Sequence, residues 1–460
     1  MRSRFRAGDA IILGLSSSGP AQTIAVSLAS LVAACAYGGP MPILLAFVPM
    51  LGIALAYQRL NRWSPDSGAT FTWVAAVFHP LLGFVAGWMI LLYYTLGTSS
   101  LTIPAGTYTL ALIAPELVDR PLAVALAGGA WNIGVTLLAL RGLKVAARFE
   151  WLIVVFQYVV LLLLAAAGLT TLARGTSAVH FSWSWFTLAG MGGARGLTSG
   201  ILIACFMYSG WDAAVYVNEE TVDRANAPGR AAIASVVMLA FFYVVVTLGI
   251  QAVLPPAELQ AHAGNALALI GERLLPGPWG AITSLVVLSG TLATLQAAVI
   301  SAARVSRAMA RAGVMPAILL RTDPLTGNPW AATIAMSVIN LALLAAALAT
   351  DNIGTALSTV VSSLGLIALL FYGLTAAAAV WQQRTRLRRG GAELLLGGIL
   401  PGLGVVFMVC VVVASIRSGA SSPAVLGYGI GSVAIGAVIA VALRLHGRSR
   451  FFSPTTEQMP

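Results

Sequence analysis

Charge is scarce in this sequence: only 9% of its 460 residues are Asp, Glu, Lys or Arg, against about 25% in an ordinary soluble chain. With 59% of the residues hydrophobic before glycine is counted, a water-soluble fold is excluded. Cysteine is scarce too. Cys35, Cys205 and Cys410 stand singly among apolar residues, without Cys-x-x-Cys spacing or neighbouring histidines. A disulfide framework and a metal site therefore lack support, and the three read as small packing residues. No Gly-x-x-x-x-Gly-Lys loop occurs, which removes a nucleotide-driven pump. No nucleophile and base fall together either, so neither an enzyme nor a cofactor is expected.

What the sequence has instead is a series of apolar runs divided by charge, glycine and proline. They predict twelve spanning helices, over about 10–34, 41–58, 81–113, 121–140, 148–172, 197–217, 230–254, 279–308, 330–349, 354–381, 393–415 and 424–445. About 20 apolar residues cross one bilayer, so twelve crossings use roughly half the chain and leave no large soluble domain. The expectation is an all-α integral membrane protein, a single transmembrane domain over residues 1–460.

On that division, 21 of the 26 basic residues fall on one side; only Arg120, Arg174, Arg195, Arg273 and Arg417 fall on the other. Basic loops stay in the cytosol, which predicts a multi-pass protein of the cytoplasmic membrane with both termini cytosolic. The same dispersal accounts for the net charge of +11 without nucleic acid, whose binding is excluded. The arginines at the start of the chain precede no small-residue cleavage site and read as the lead-in to a retained first helix. Arg384, Arg386, Arg388 and Arg389 read as an orientation signal between helices ten and eleven, with lipid head-group recognition as the other reading.

Two spans carry a break. In the first, Gly14-Leu15-Ser16-Ser17-Ser18-Gly19-Pro20 ends in a proline that removes an amide donor and crowds the turn before it. The helix either opens there, facing protein or water, or kinks with the serines bonded back to carbonyls. In the sixth, Cys205-Phe206-Met207-Tyr208-Ser209-Gly210-Trp211-Asp212 places a Ser-Gly pair at mid-depth beside a carboxylate. Inverted-repeat transporters put interrupted helices at corresponding places in their two halves and bind substrate between them. Amides freed near Ser17, Ser18 and Gly19 would hold a carboxylate. Carbonyls freed around Phe206 to Ser209 would accept from an ammonium, and the pair suits a zwitterion of amino-acid type.

Three stretches then resemble the amino acid-polyamine-organocation (APC) permease superfamily. Pro65-Asp66-Ser67-Gly68-Ala69-Thr70-Phe71-Thr72-Trp73, followed by Gly83 to Trp88, is similar to the loop after helix two and the start of helix three. Tyr208 to Glu220 looks like the family's sixth helix, and Ser306 to Pro316 with Asn328-Pro329 like the loop after helix eight. The resemblance implies the leucine-transporter-type fold: a 5+5 inverted repeat, over about 10–172 and 197–381, with two added helices over about 393–445. It implies a secondary permease working by alternating access on amino acids, polyamines or related amines. Ser17, Ser18 and Gly19 would hold the substrate carboxylate, while Phe206, Met207, Ser209 and Gly210 would bind the amine and cover the site. Phe206 falls where members often use an aromatic gate. Ser16-Ser17-Ser18-Gly19-Pro20 departs from the family's more usual Gly-x-Gly opening.

Asp212 is the one acid placed well inside the apolar layer, where a charge costs about 2.5 to 3.5 kcal/mol on insertion scales. It is a proton carrier, a recogniser of cations, or a structural acid bonded to broken-helix amides. Gln157 occupies the position where many relatives have a lysine whose ammonium replaces a sodium ion; being neutral, it reads equally as an inter-helix hydrogen bond. Coupling is left to Asp212 protonation, to simple exchange, or to a sodium site, for which helix eight offers Ser289, Thr291 and Thr294. Tyr93, Tyr94, Thr95, Thr98 and Ser99 give helix three a polar face that either lines the pathway or bonds across helices. His79 reads as an exposed loop histidine, and Glu219 with Glu220 as an ion-pair cluster near Arg224 and Arg230. Proton-coupled symport or exchange is the expected mode of transport. The alternative is a polyamine or organic-cation exchanger in which Asp212 pairs a second positive charge. A non-transporting sensor, against which the short tails speak, and a channel stand behind both.

Overall fold

The structure, a computed structural model, describes residues 5–262, 265–275, 277–348, 353–417, 423–446 and 449–452. Every element among them is helical, and the one pairing of β type is an isolated bridge between Phe5 and Thr221. The first half comprises α1 (Ala7–Ser18), α2 (Pro20–Cys35), α3 (Pro40–Trp63), α4 (Thr70–Val77), α5 (Pro80–Ile113), α6 (Pro121–Leu140) and α7 (Leu143–Ala173). Then come α8 (Gly193–Met207), α9 (Ala213–Tyr216), α10 (Ala227–Ile250), α11 (Pro256–Ala261), α12 (Ala266–Leu274) and α13 (Trp279–Arg311). The chain closes with α14 (Trp330–Leu348), α15 (Ile353–Gln383), α16 (Gly391–Leu394), α17 (Leu400–Arg417) and α18 (Pro423–Leu445).

Counting α1 with α2 and α16 with α17 as single crossings, eleven helices among the described residues are long and apolar enough to span a bilayer. The predicted run that falls short is the sixth, because α8 stops at Met207 after 15 residues and the chain unwinds before α9. Two predicted edges move. Helix α3 continues to Trp63, carrying Arg59 and Arg62 on its last turns, and α7 begins at Leu143 instead of about residue 148, which puts Glu150 further in from the start of the helix.

Burial decides which helices form the core. In α13, 89% of the apolar window is buried, against 22% in α18, so α13 is enclosed by other helices while α18 turns most of its apolar surface outward, toward lipid. Helices α5, α6 and α14 are locked by a buried amide cluster. Asn340 Nδ2 donates to Asn132 Oδ1 (2.7 Å) and Thr102 Oγ1 (3.2 Å), Asn132 Nδ2 to Ser337 Oγ (2.9 Å), and Ser99 Oγ to Asn340 Oδ1 (2.6 Å). In an apolar medium such a satisfied network holds helices in register.

Candidate functional site

The first break is a single residue. Helix α1 ends at Ser18, Gly19 takes the left-handed conformation (φ 52°, ψ 62°), and Pro20 opens α2. Proline fits the first helical position because its missing amide would be unpaired there anyway, so the helix restarts at once. The exposed backbone ends find partners on other helices. Ser16 O accepts from Gly19 N (3.0 Å) and from Thr294 Oγ1 (2.9 Å), Ser18 O accepts from Thr23 Oγ1 (2.7 Å), and Ala21 N donates to Gln157 Oε1 (3.4 Å). This corrects the expected polarity. Ser17 and Ser18 lie in the last turn of α1, with their amides inside its ladder, and the Gly19 amide is used by Ser16. The amides at a helix start belong to Ala21 and Gln22, while Ser17 and Ser18 present the carbonyl end of α1.

The sixth break runs over residues 208–212, with Gly210 at φ 102°. Phe206 O is not free, since it accepts from Ser209 N (3.0 Å) and Ser209 Oγ (2.6 Å). Gly210 N donates to the Tyr372 hydroxyl (3.0 Å), which donates in turn to Asp212 Oδ1 (2.7 Å). Tyr94 donates to the same oxygen at 3.2 Å and Tyr216 to Oδ2 at 2.7 Å. Asp212 is fully buried, and phenol hydroxyls from α5, α9 and α15 hold its carboxylate. Trp211 stacks on Tyr372 with ring centroids 5.3 Å apart, and the edge of Tyr57 closes on Trp211.

The two breaks touch. A Cβ on Gly210 would lie 2.7 Å from Ser17 O and 3.0 Å from Ser18 N, and one on Gly19 would lie 2.2 Å from Thr294 Oγ1. Beside this contact opens a cavity of about 150 Å³. Ser17, Ser18, Phe206 and Ser209 line it, together with Tyr93 and Tyr94 of α5 and Thr294 of α13. Val26, Leu101 and Leu364 continue the wall, none of whose residues is charged. Gln22, Thr23 and Val26 follow the break in the chain, so the cavity extends from mid-depth toward the arginine-poor side. Of the predicted binding residues, Met207, Gly19 and Gly210 shape the turns without lining the cavity, and Asp212 lies behind Tyr94.

Helix eight brings only one of its three hydroxyl candidates to the break. Ser289 bonds back to Val286 O (2.8 Å) and Thr291 to Val287 O (2.9 Å), whereas Thr294 reaches Ser16 O. Gln157 is fully buried, with Nε2 lacking a partner. The helix-three face divides: Tyr93 and Tyr94 reach the cavity, while Ser99 turns to α14. Asp212 is not the only acid in the apolar layer. Glu150 is equally buried, beside Ser16 and Arg304, with Oε1 unpartnered. Arg148 next to it made this stretch look like the charged edge of a span.

The arginine-rich end is closed by ion pairs whose cations come from α13, not from Arg224 and Arg230 as expected. Arg304 clasps Glu220 through Nε (3.0 Å) and Nη2 (2.9 Å). Arg311 Nη1 donates to Glu219 (2.8 Å) and Nη2 reaches Asp66 (3.3 Å), while Ser67 Oγ donates to Glu219 at 2.7 Å. Burial pushes the Glu219 carboxyl up, but the Arg311 guanidinium and Ser67 pull it down further, to about 2. His79 is exposed, as expected, and Nδ1 caps α5 by accepting from Leu81 N (3.1 Å).

Comparison with known proteins narrows the meaning of this geometry. The family described as amino acid permease matches residues 10–440. The chain is 25% identical over 356 residues to the methylthioribose transporter of Bacillus subtilis, covering 72% of this chain and 74% of that protein. It is 24% identical over 376 residues to the branched-chain amino acid permease BcaP of the same species, covering 77% and 75%. Over 347 residues it is 26% identical to the low-affinity putrescine importer PlaP of Escherichia coli, covering 74% and 73%. The cargoes differ, but all three are transporters, not enzymes. With a family match over nearly its whole length and eleven helices fit to span a membrane, the chain belongs to the amino acid permease family of multi-pass membrane transporters.

Proposed function

We propose that the chain is a secondary permease of the cytoplasmic membrane that carries a neutral amino acid by alternating access. The observation that carries this reading is the meeting of two helix breaks beside a small cavity whose wall holds no charge. Helix starts attract anions and helix ends attract cations. The start of α2 at Gln22 takes the substrate carboxylate, the carbonyl ends of α1 and α8 take the ammonium, and Phe206 covers an apolar side chain. In this reading α8 and α9 together make a twelfth crossing. The first ten crossings form the 5+5 inverted repeat, α17 and α18 are additions, and both termini lie on the arginine-rich, cytosolic side.

Coupling is assigned to Asp212. As a carboxylate it accepts from three tyrosine hydroxyls; protonation turns one acceptor into a donor and removes the charge, so one of these bonds must reverse or open and all three weaken, which loosens the sixth segment from α5 and α15. Proton-free exchange is the second mode. A sodium ion is less supported, because Thr294 already donates to Ser16 O. A diamine exchanger is also less supported, since a second ammonium meets no acid in the wall.

The test is uptake of labelled amino acids and amines into proteoliposomes, with and without a proton gradient or sodium. Saturable uptake competed by neutral amino acids is expected. Competition by diamines alone turns the reading to the exchanger, flux that does not saturate turns it to a channel, and binding without uptake turns it to a sensor.

A further inference from the structure

A second cavity, of about 500 Å³, lies at the arginine-rich face where α3, α15 and α16 meet. Arg59 and Arg62 from the end of α3 and Arg386 and Arg389 from the loop after α15 stand in its wall, facing one acid, Glu393. That acid is taken, because Arg59 Nη1 donates to Glu393 Oε2 at 2.5 Å. Three further guanidiniums then share one cavity with no other carboxylate in its wall, an arrangement whose repulsion an anion between them relieves.

A second observation points the same way. Gln383, 2% exposed, lines the cavity with Nε2 bonded to Gln382 and Oε1 without any partner. A buried acceptor of this kind calls for a donor from outside the protein. The following turn, Leu395–Ile399, is a π-helix, and its Gly397 makes room for Arg59, whose Nη1 stands 3.0 Å from where a Cβ would be. Such π-turns are frequent at binding sites.

We infer that this cavity binds an organic phosphate with a hydroxyl near its phosphate group, the arginine forks holding the phosphate and Gln383 accepting from the hydroxyl. A phosphoglycerol lipid head group and a soluble sugar or glycerol phosphate share this chemistry. The exposed Leu394, Leu395 and Leu396 follow Glu393 directly, and Trp381 is exposed with the Arg384 guanidinium 4.8 Å over its ring. A lipid-facing surface with an interfacial aromatic therefore adjoins the cavity.

The test follows thermal unfolding of the full-length protein in detergent during titration with short-chain phosphatidylglycerol, with phosphatidylcholine of the same chains, and with glycerol phosphate. A saturable shift with phosphatidylglycerol alone identifies a lipid head group, and one with glycerol phosphate as well identifies the phosphate as sufficient. Arg386→Gln with Arg389→Gln weakens the affinity about tenfold or more, as expected for two lost charge-assisted bonds. Arg384→Gln with Arg388→Gln removes the same charge from the same loop outside the cavity and changes it less than about threefold. Equal weakening in both double variants, or no saturable shift with any of the three probes, overturns the inference.

Discussion

The first break is one residue long and is dressed by neutral groups, Thr294, Thr23 and Gln157, whereas the sixth runs over five residues and closes on a carboxylate held by three tyrosines. The difference follows from one residue. Pro20 lets a helix restart immediately, so a single left-handed glycine suffices. The sixth break has no such restart, and side chains from α5 and α15 must anchor it. The hydroxyls and the amide at the first break take up no proton near neutral pH, so the proposed mechanism assigns coupling to the carboxylate that closes the sixth.

The largest expected effect comes from Gly210→Ala. Its φ of 102° suits only glycine, and its Cβ meets the Ser17–Ser18 backbone, so uptake falls at least about a hundredfold at unchanged membrane protein level. Gly19→Ala costs less, roughly thirtyfold, because a φ of 52° is open to alanine at about 1 to 2 kcal/mol and the obstacle is the Thr294 side chain. Adding Thr294→Ala to Gly19→Ala restores part of the uptake. No single side-chain change is expected to restore Gly210→Ala, and one that did would erase the contrast between a side-chain and a backbone obstacle.

Asp212→Asn comes next, with uptake down about tenfold from the loss of charge-assisted bonds and a flattened dependence on the proton gradient. Proton-driven uptake that survives this change intact would remove Asp212 from coupling. The smallest effect belongs to Glu219→Gln. With its carboxyl held at about 2 against 4.5 unfolded, its tie to Arg311 is complete above the unfolded value and lost only as the pH falls through the folded one. The shape of the uptake profile between about pH 5 and 8 therefore stays the same in the variant. A shifted profile would place a proton switch at the arginine-rich end instead of at Asp212.

Much of this was legible in the sequence. Apolar runs announced the helices because lipid demands them, and Gly19-Pro20 and Ser209-Gly210 announced the breaks because both pairs disturb a hydrogen-bond ladder. Polarity at the first break was not, since whether a helix ends or restarts at Ser17 depends on the φ that Gly19 adopts. The partners of Asp212 were hidden for another reason: Tyr94 and Tyr372 lie 118 and 160 residues away and look like ordinary membrane tyrosines. Glu150 and the true partners of Glu219 and Glu220 were missed because nearness in sequence stood in for nearness in space.

The most direct test of the central claim is a structure of the full-length protein in lipid nanodiscs with a transported amino acid bound. Density for the ligand is expected between Ser17–Ser18 and Phe206–Ser209, with its carboxylate toward the start of α2. Unbroken helices through Gly19 and Gly210, or a ligand seated elsewhere, would contradict the account.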